Sequence, residues 1–124
     1  MFTLGKTLKP KQQREQTSIL TIKESNMNIT YTWRNADKTD AIEELATKKL
    51  EKISRHFDKI NQIHIIFDSV KKQTHIAKGT LHVPGHEINA HAEHADLYVA
   101  LDDLIQKLMK QVDNHKRQST NHHS

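Results

Sequence analysis

"MNITYTWRNADKTDAIEELATKKLEKISRHF", residues 27–57, changes its apolar period part-way along, and that change decides the fold. Met27, Ile29, Tyr31 and Trp33 alternate with Asn28, Thr30, Thr32 and Arg34, the period of two that marks a half-buried strand. After Asp40 the period lengthens. Ile42, Leu45, Ala46, Leu50, Ile53 and Phe57 follow at steps of three and four, the stripe of an amphipathic helix, with Lys49 at its edge. Between the two runs "NADKT" supplies turn residues, with Thr39 as N-cap. Asp40, Glu43 and Glu44 lie in or just beyond the first turn, where acid complements the helix dipole. The stretch therefore predicts a strand over about 27–33 and a helix over about 40–57.

Toward the C-terminus, "INQIHIIFDSV" (60–70) puts Ile63, Ile65 and Phe67 on one strand face, and "KKQTHIAKGTLHV" (71–83) does the same with Ala77, Gly79, Leu81 and Val83. A Pro-Gly turn at 83–86 separates these from "EINAHAE" (87–93), with Ile88, Ala90 and Ala92 inward, so the three strands form an antiparallel meander. The last helix begins near Asp96, places Leu97, Leu101, Leu104, Ile105, Leu108 and Val112 on one stripe, and ends in the polar "HKRQSTNHHS". The order is β-α-β-β-β-α. This is an α+β chain, and the layer arrangement that buries every apolar stripe is a four-stranded sheet with two helices packed on one face. The first strand then lies beside a strand of the meander. The α-β-β-β-α run is also the core of the double-stranded-RNA-binding domain, so the class is double-stranded-RNA-binding-domain-like.

With 124 residues the chain is long enough for one compact domain and short for two. No apolar run approaches the roughly 20 residues that span a bilayer, and the start lacks the apolar stretch of a secretory signal, so a cytoplasmic protein without a membrane partner is expected. Zero cysteines exclude a disulfide framework, a thiolate zinc site and a cysteine nucleophile. The net charge of +4 is unevenly spread: residues 1–26 hold five basic groups against two acidic, and residues 27–124 hold 14 against 13. Residues 1–26, with the polar "KPKQQREQ", are expected to be a flexible basic arm, or to precede a physiological start at Met27. "SILTI" (18–22) is the one patch there able to add an edge strand. Residues 27–117 form the domain and 118–124 a polar tail.

Catalytic signatures are absent. There is no Gly-rich phosphate loop, no nucleophile elbow and no H-E-x-x-H, and the three glycines stand apart at 5, 79 and 85, so neither enzyme activity nor a cofactor is expected. Among ten histidines, His82, His86, His91 and His94 would have to assemble a metal site from strand and turn positions without standard spacing. A histidine-based metal-binding stress protein is thus one alternative. The basic residues carry more. Lys48, Lys52, Arg55 and Lys59 repeat at i, i+4, i+7 and i+11 on the first helix beside Lys49, and Lys107, Lys110, Lys116 and Arg117, with His115 among them, occupy the C-terminal half of the second. Two such ridges on one sheet face would present a merged positive patch to phosphates. The competing reading is a solvated surface, since cations favour helix C-termini and Glu51 and Asp58 offset the first ridge.

"MNIT", "TDAIEELATKKLEKISRHFDKIN", "GTLHV", "INAHAE" and "DLYVALDDLIQKLMKQVDNHK" together resemble the short ribosome hibernation promoting factors, related to the ribosome-associated stationary-phase inhibitor, over about Met27 to Lys116. The resemblance implies binding of the small ribosomal subunit in its mRNA and tRNA channel, through basic residues of both helices on ribosomal RNA. It implies block of translation and, with ribosome modulation factor as a partner, promotion of inactive ribosome dimers in stationary phase or stress. A related inhibitor with a longer acidic tail opposes pairing, and this chain ends without that tail. The matching basic positions are Lys49 and Lys52 on the first helix and Lys107, Lys110 and Lys116 on the second, to which the ridge adds Lys48 and Arg55. Asn114 stands where relatives often carry a basic residue. A monomer when free is expected. The remaining alternative is a general double-stranded RNA-binding module, which usually grips phosphate with lysines at the start of its last helix. Here that place holds Asp96, with Asp102 and Asp103 about two turns on, so the RNA surface is expected at the other end of the helix. Tyr98, spaced with Leu101 and Ile105, is expected to pack.

Overall fold

The computed structural model describes residues 15–22, 27–71 and 73–121. In chain order the elements are β1 (Glu15–Ile22), β2 (Met27–Arg34), α1 (Asp40–His56), β3 (Gln62–Lys71), β4 (Thr74–Val83), β5 (His86–His94) and α2 (Leu97–Asn121). The sheet runs β1-β2-β3-β4-β5. β2 and β3 are parallel and the other neighbours antiparallel. A parallel pair needs a crossover connection, and α1 is that crossover.

The expected sheet of four strands is corrected to five. Residues 15–22 pair along the whole of β2, from Glu15 opposite Arg34 to Ile22 opposite Met27. Little apolar burial holds this strand: Ile19 is 70% exposed and Leu20 41%. Polar links do the work instead, with Arg34 Nε on Glu15 at 2.9 Å, Thr21 Oγ1 donating to Asn28 Oδ1 at 2.9 Å and Ser18 Oγ donating to Glu43 Oε2 at 3.1 Å. The patch "SILTI" (18–22), able to add an edge strand, lies within β1, and the strand begins three residues earlier at Glu15. The expected basic-arm residues 1–14 and 23–26 lie outside the described residues.

The helix-facing side of the sheet is built from rows that cross the strands. Ile29, Ile63, Leu81 and Ile88 form one row, Tyr31, Ile65, Gly79 and Ala90 the next, and Trp33, Phe67, Ala77 and Ala92 the third. In the second and third rows large side chains sit on β2 and β3 and small ones on β4 and β5, so α2 settles closely over the latter. A methyl group at Gly79 would stand 3.0 Å from Leu108 Cδ1 and 3.2 Å from Ile65 Cδ1. Ile42, Ala46, Leu50 and Ile53 of α1 and Leu101, Leu104, Leu108 and Val112 of α2 join these rows in a single buried core, so both helices cover one face as expected.

Helix ends follow local chemistry. Asp96 caps α2, its Oδ1 accepting from the Tyr98 amide at 2.9 Å. Thr39 precedes α1 without a side-chain cap, its hydroxyl donating to the Asp37 carbonyl instead. α2 continues to Asn121, past the point where a polar tail was expected to begin; no Gly or Pro occurs from 97 to 121 to stop it. Gly85, at φ 73°, makes the β4–β5 turn that the Pro-Gly pair announced. Among the described residues no helix is long and apolar enough to cross a membrane.

Candidate nucleic-acid interface

An ion pair and a hydrogen bond fix how the helices lie. Lys49 Nζ meets Asp102 Oδ1 at 3.4 Å, and two turns later His56 Nε2 meets Asp113 Oδ1 at 2.5 Å. Because both partners advance together, α1 and α2 run side by side in the same direction. Their C-terminal halves, where both ridges of basic residues lie, therefore share one end of the domain. Lys116 ties that end shut, its Nζ donating to the carbonyl of His56, the last residue of α1, at 2.9 Å. A cation here satisfies an orphan carbonyl and meets the negative end of the helix dipole.

The expected RNA-binding residues thus separate into two sets. Lys48, Lys52, Arg55 and Lys110 are exposed on the helices, as is Arg117, whereas Lys59, expected on the first ridge, is exposed in the turn beyond the end of α1. Lys49, Lys107 and Lys116 are engaged within the domain. Lys107 Nζ lies 3.4 Å from Asp103 Oδ2 and donates to the His91 carbonyl at 3.0 Å. His115 is half-buried, its ring stacked on His86 at 5.4 Å between centroids and set edge-on to Phe57 at 5.6 Å. It anchors the junction of α1, α2 and the β4–β5 turn. Asn114 is exposed beside it, in a shallow cleft with His86, Ile88 and Gln111.

The aromatic residues differ from simple expectation. Tyr98, expected to pack, is 48% exposed at the start of α2. Trp33 is buried, donates its indole N–H to Glu43 Oε2 at 2.7 Å and lies on Phe67 at 4.3 Å, so it offers no free face for a base. Tyr31 is buried too, its hydroxyl 2.6 Å from Thr47 Oγ1, and burial pushes its pKa up to about 12. On the sheet face away from the helices, Thr17, Thr32 and His64 form a hydrogen-bonded row, Thr32 Oγ1 lying 3.0 Å from His64 Nε2. Burial, with the Arg34 guanidinium next in weight and the His82 ring after it, holds His64 below the usual histidine pKa. Among the described residues no group of three or more His, Cys, Asp or Glu side chains converges as a metal site would require.

The family model for Sigma 54 modulation protein / S30EA ribosomal protein matches residues 29–120. The chain belongs to this family. The ribosome hibernation promoting factors of Salmonella typhimurium and Escherichia coli K12 are each 42% identical to it over 96 residues, covering 77% of this chain and all of theirs. A ribosomal subunit interface protein from Coxiella burnetii has a TM-score of 0.67 at 38% identity, over 72% of this chain and 97% of its own. The N-terminal domain of Thermus thermophilus Protein Y has a TM-score of 0.61 at 29% identity, over 70% and 92%. Within this S30EA family member, the matched region holds both helices and every expected RNA-binding residue, whereas β1 lies outside it.

Proposed function

We propose that this S30EA family member is a ribosome hibernation factor that occupies the mRNA and tRNA channel of the small subunit and blocks translation by filling it. The carrying observation is the parallel alignment of α1 and α2, which brings the basic halves of both helices to one end of a compact domain. Lys48, Lys52, Arg55 and Lys110 contact phosphates directly. Lys49 and Lys107 exchange the carboxylates of Asp102 and Asp103 for phosphate as the surfaces meet. Both are surface ion pairs, worth little in water, so the exchange is nearly free of cost. Lys116 and His115 hold the shared helix end in shape and face the same RNA. Recognition follows ribosomal RNA shape more than base sequence, since the set is dominated by point charges and offers no exposed stacking platform between the ridges.

The names of the relatives support the hibernation role, and the coverage of their whole length supports the pairing-promoting branch, in which ribosome modulation factor acts as partner and inactive dimers form in stationary phase or stress. The free protein is a cytoplasmic monomer in this reading. Sucrose-gradient sedimentation of ribosomes with added protein tests it. Co-migration with small subunits at low salt, lost on charge reversal at Lys52 and Lys110, is expected. Absence of co-migration, or equal binding to naked duplex RNA, overturns it.

A further inference from the structure

Lys49 and Lys107 serve phosphate in the proposed function, and the carboxylates beside them, Asp102 and Asp103, have no task in it. Both acids are about half exposed. Asp102 Oδ1 meets Lys49 Nζ of α1 at 3.4 Å and its Oδ2 accepts from Gln106 at 3.1 Å, so it lies in the seam between the helices. Asp103 Oδ2 meets Lys107 Nζ, one turn further along α2, at 3.4 Å. Lys107 also reaches the His91 carbonyl of β5, so this pair lies on the other flank of the helix. The two carboxylates thus border α2, one toward α1 and one toward β5, just where its acidic first half gives way to Lys107, Lys110, Lys116 and Arg117. Neither caps the helix, since Asp96 holds that place, and as surface pairs they add little stability. A repulsive group set beside attractive ones is one way in which a binding surface rejects wrong partners.

We propose that Asp102 and Asp103 are specificity-determining residues, which exclude naked duplex RNA from a surface whose lysines alone would hold it. The inference rests on the RNA-binding reading of the two ridges. An RNA of matching shape brings phosphate to Lys49 and Lys107 and leaves both carboxylates turned to water. An RNA laid across α2 without that match brings phosphates against Asp102 and Asp103 as well, and like charges at a contact are costly. Without the two acids, the ridges bind any phosphate backbone through charge, whatever its shape.

Filter binding at low salt compares Asp102→Asn/Asp103→Asn with the wild-type chain on two probes, purified small subunits and a naked RNA hairpin. Two relieved surface repulsions are expected to raise affinity for the hairpin about tenfold and affinity for small subunits only about twofold, so the preference for subunits falls about fivefold. Asp103→Asn alone, which leaves the seam between the helices untouched, gives part of the change. Glu93→Gln/Asp96→Asn removes the same number of charges from exposed positions at the end of the domain away from the ridges, and Asn caps a helix as Asp does, so this control keeps the wild-type preference. An unchanged preference in both Asp103 variants overturns the proposal. An equal loss of preference in the control also overturns it, because net charge then accounts for the effect. Should the wild-type chain fail to bind small subunits, the proposed function falls while the hairpin series still decides this inference: affinity that rises in the Asp103 variants and not in the control supports the repulsion, and unchanged affinity overturns it.

Discussion

Replacing Lys52 and Lys110 together by alanine is the sharpest test of the RNA-binding surface, because each is exposed and each lies on a different helix. Every phosphate neutralised by a bound cation releases counterions and adds about 0.9 to the slope of log affinity against log salt on a duplex. Lys48, Lys52, Arg55 and Lys110, with Lys49 and Lys107 once they exchange carboxylate for phosphate, thus supply a slope of about −5.4. Between about 50 and 200 mM salt the affinity then falls about 1,800-fold. The double variant removes two contacts, leaving a slope of about −3.6 and a fall of only about 150-fold over the same range. Filter binding of labelled protein to purified small subunits across a salt series measures both slopes. An unchanged slope in the double variant, whatever its absolute affinity, would refute the assignment of these two residues to phosphate. A wild-type slope near zero would refute the electrostatic reading altogether.

Asp102→Asn frees Lys49 from its ion pair and is expected to tighten binding to small subunits at low salt; weaker binding in the same assay would mean that Asp102 itself contacts the ribosome. Gly79→Leu forces a side chain against Leu108 and Ile65 and should cost about 1–3 kcal/mol or more, read as a lower thermal midpoint, with no shift counting against close seating of α2 on β4. Glu43→Ala strands the buried indole N–H of Trp33, an expected loss of about 1–3 kcal/mol in denaturant unfolding together with changed tryptophan emission. His64 titrates below the ordinary histidine value in the folded protein, so the unfolded chain takes up its proton first. Its contribution to stability is complete above about pH 6.5 and declines as the pH falls below that value. His64→Asn should remove that part of the acid-side loss, as followed by unfolding at a series of pH values.

Much of the domain was legible because its amphipathic faces are strong. The alternation from Met27 to Trp33 and the three-and-four stepping from Ile42 to Ile53 each correspond to one observed element. β1 was legible only as the patch "SILTI" able to add an edge strand, because its attachment lies in backbone pairing and in links such as Ser18 to Glu43, which join residues far apart in sequence. The basic ridges were visible on each helix, and so was the end of the domain to which they belong. Which lysines are held by Asp102, Asp103 and the His56 carbonyl was not, because those contacts arise only once the two helices lie parallel.

The parallel pairing of β2 with β3 also sets an order of events as the chain is made. Each β2 residue meets a β3 residue 34 positions later, from Asn28 with Gln62 to Arg34 with Asp68. Until that later segment leaves the synthesising ribosome, β2 carries Met27, Ile29, Tyr31 and Trp33 with no sheet neighbour on that side. Bare edges of this kind invite pairing with other nascent chains. β1, made first and joined to β2 by a short connection, forms a local hairpin far sooner than the distant parallel partner can arrive. The strand outside the family pattern thereby gives β2 a neighbour close in sequence, which pairs one of its sides through the interval when the partner of the other is still being translated.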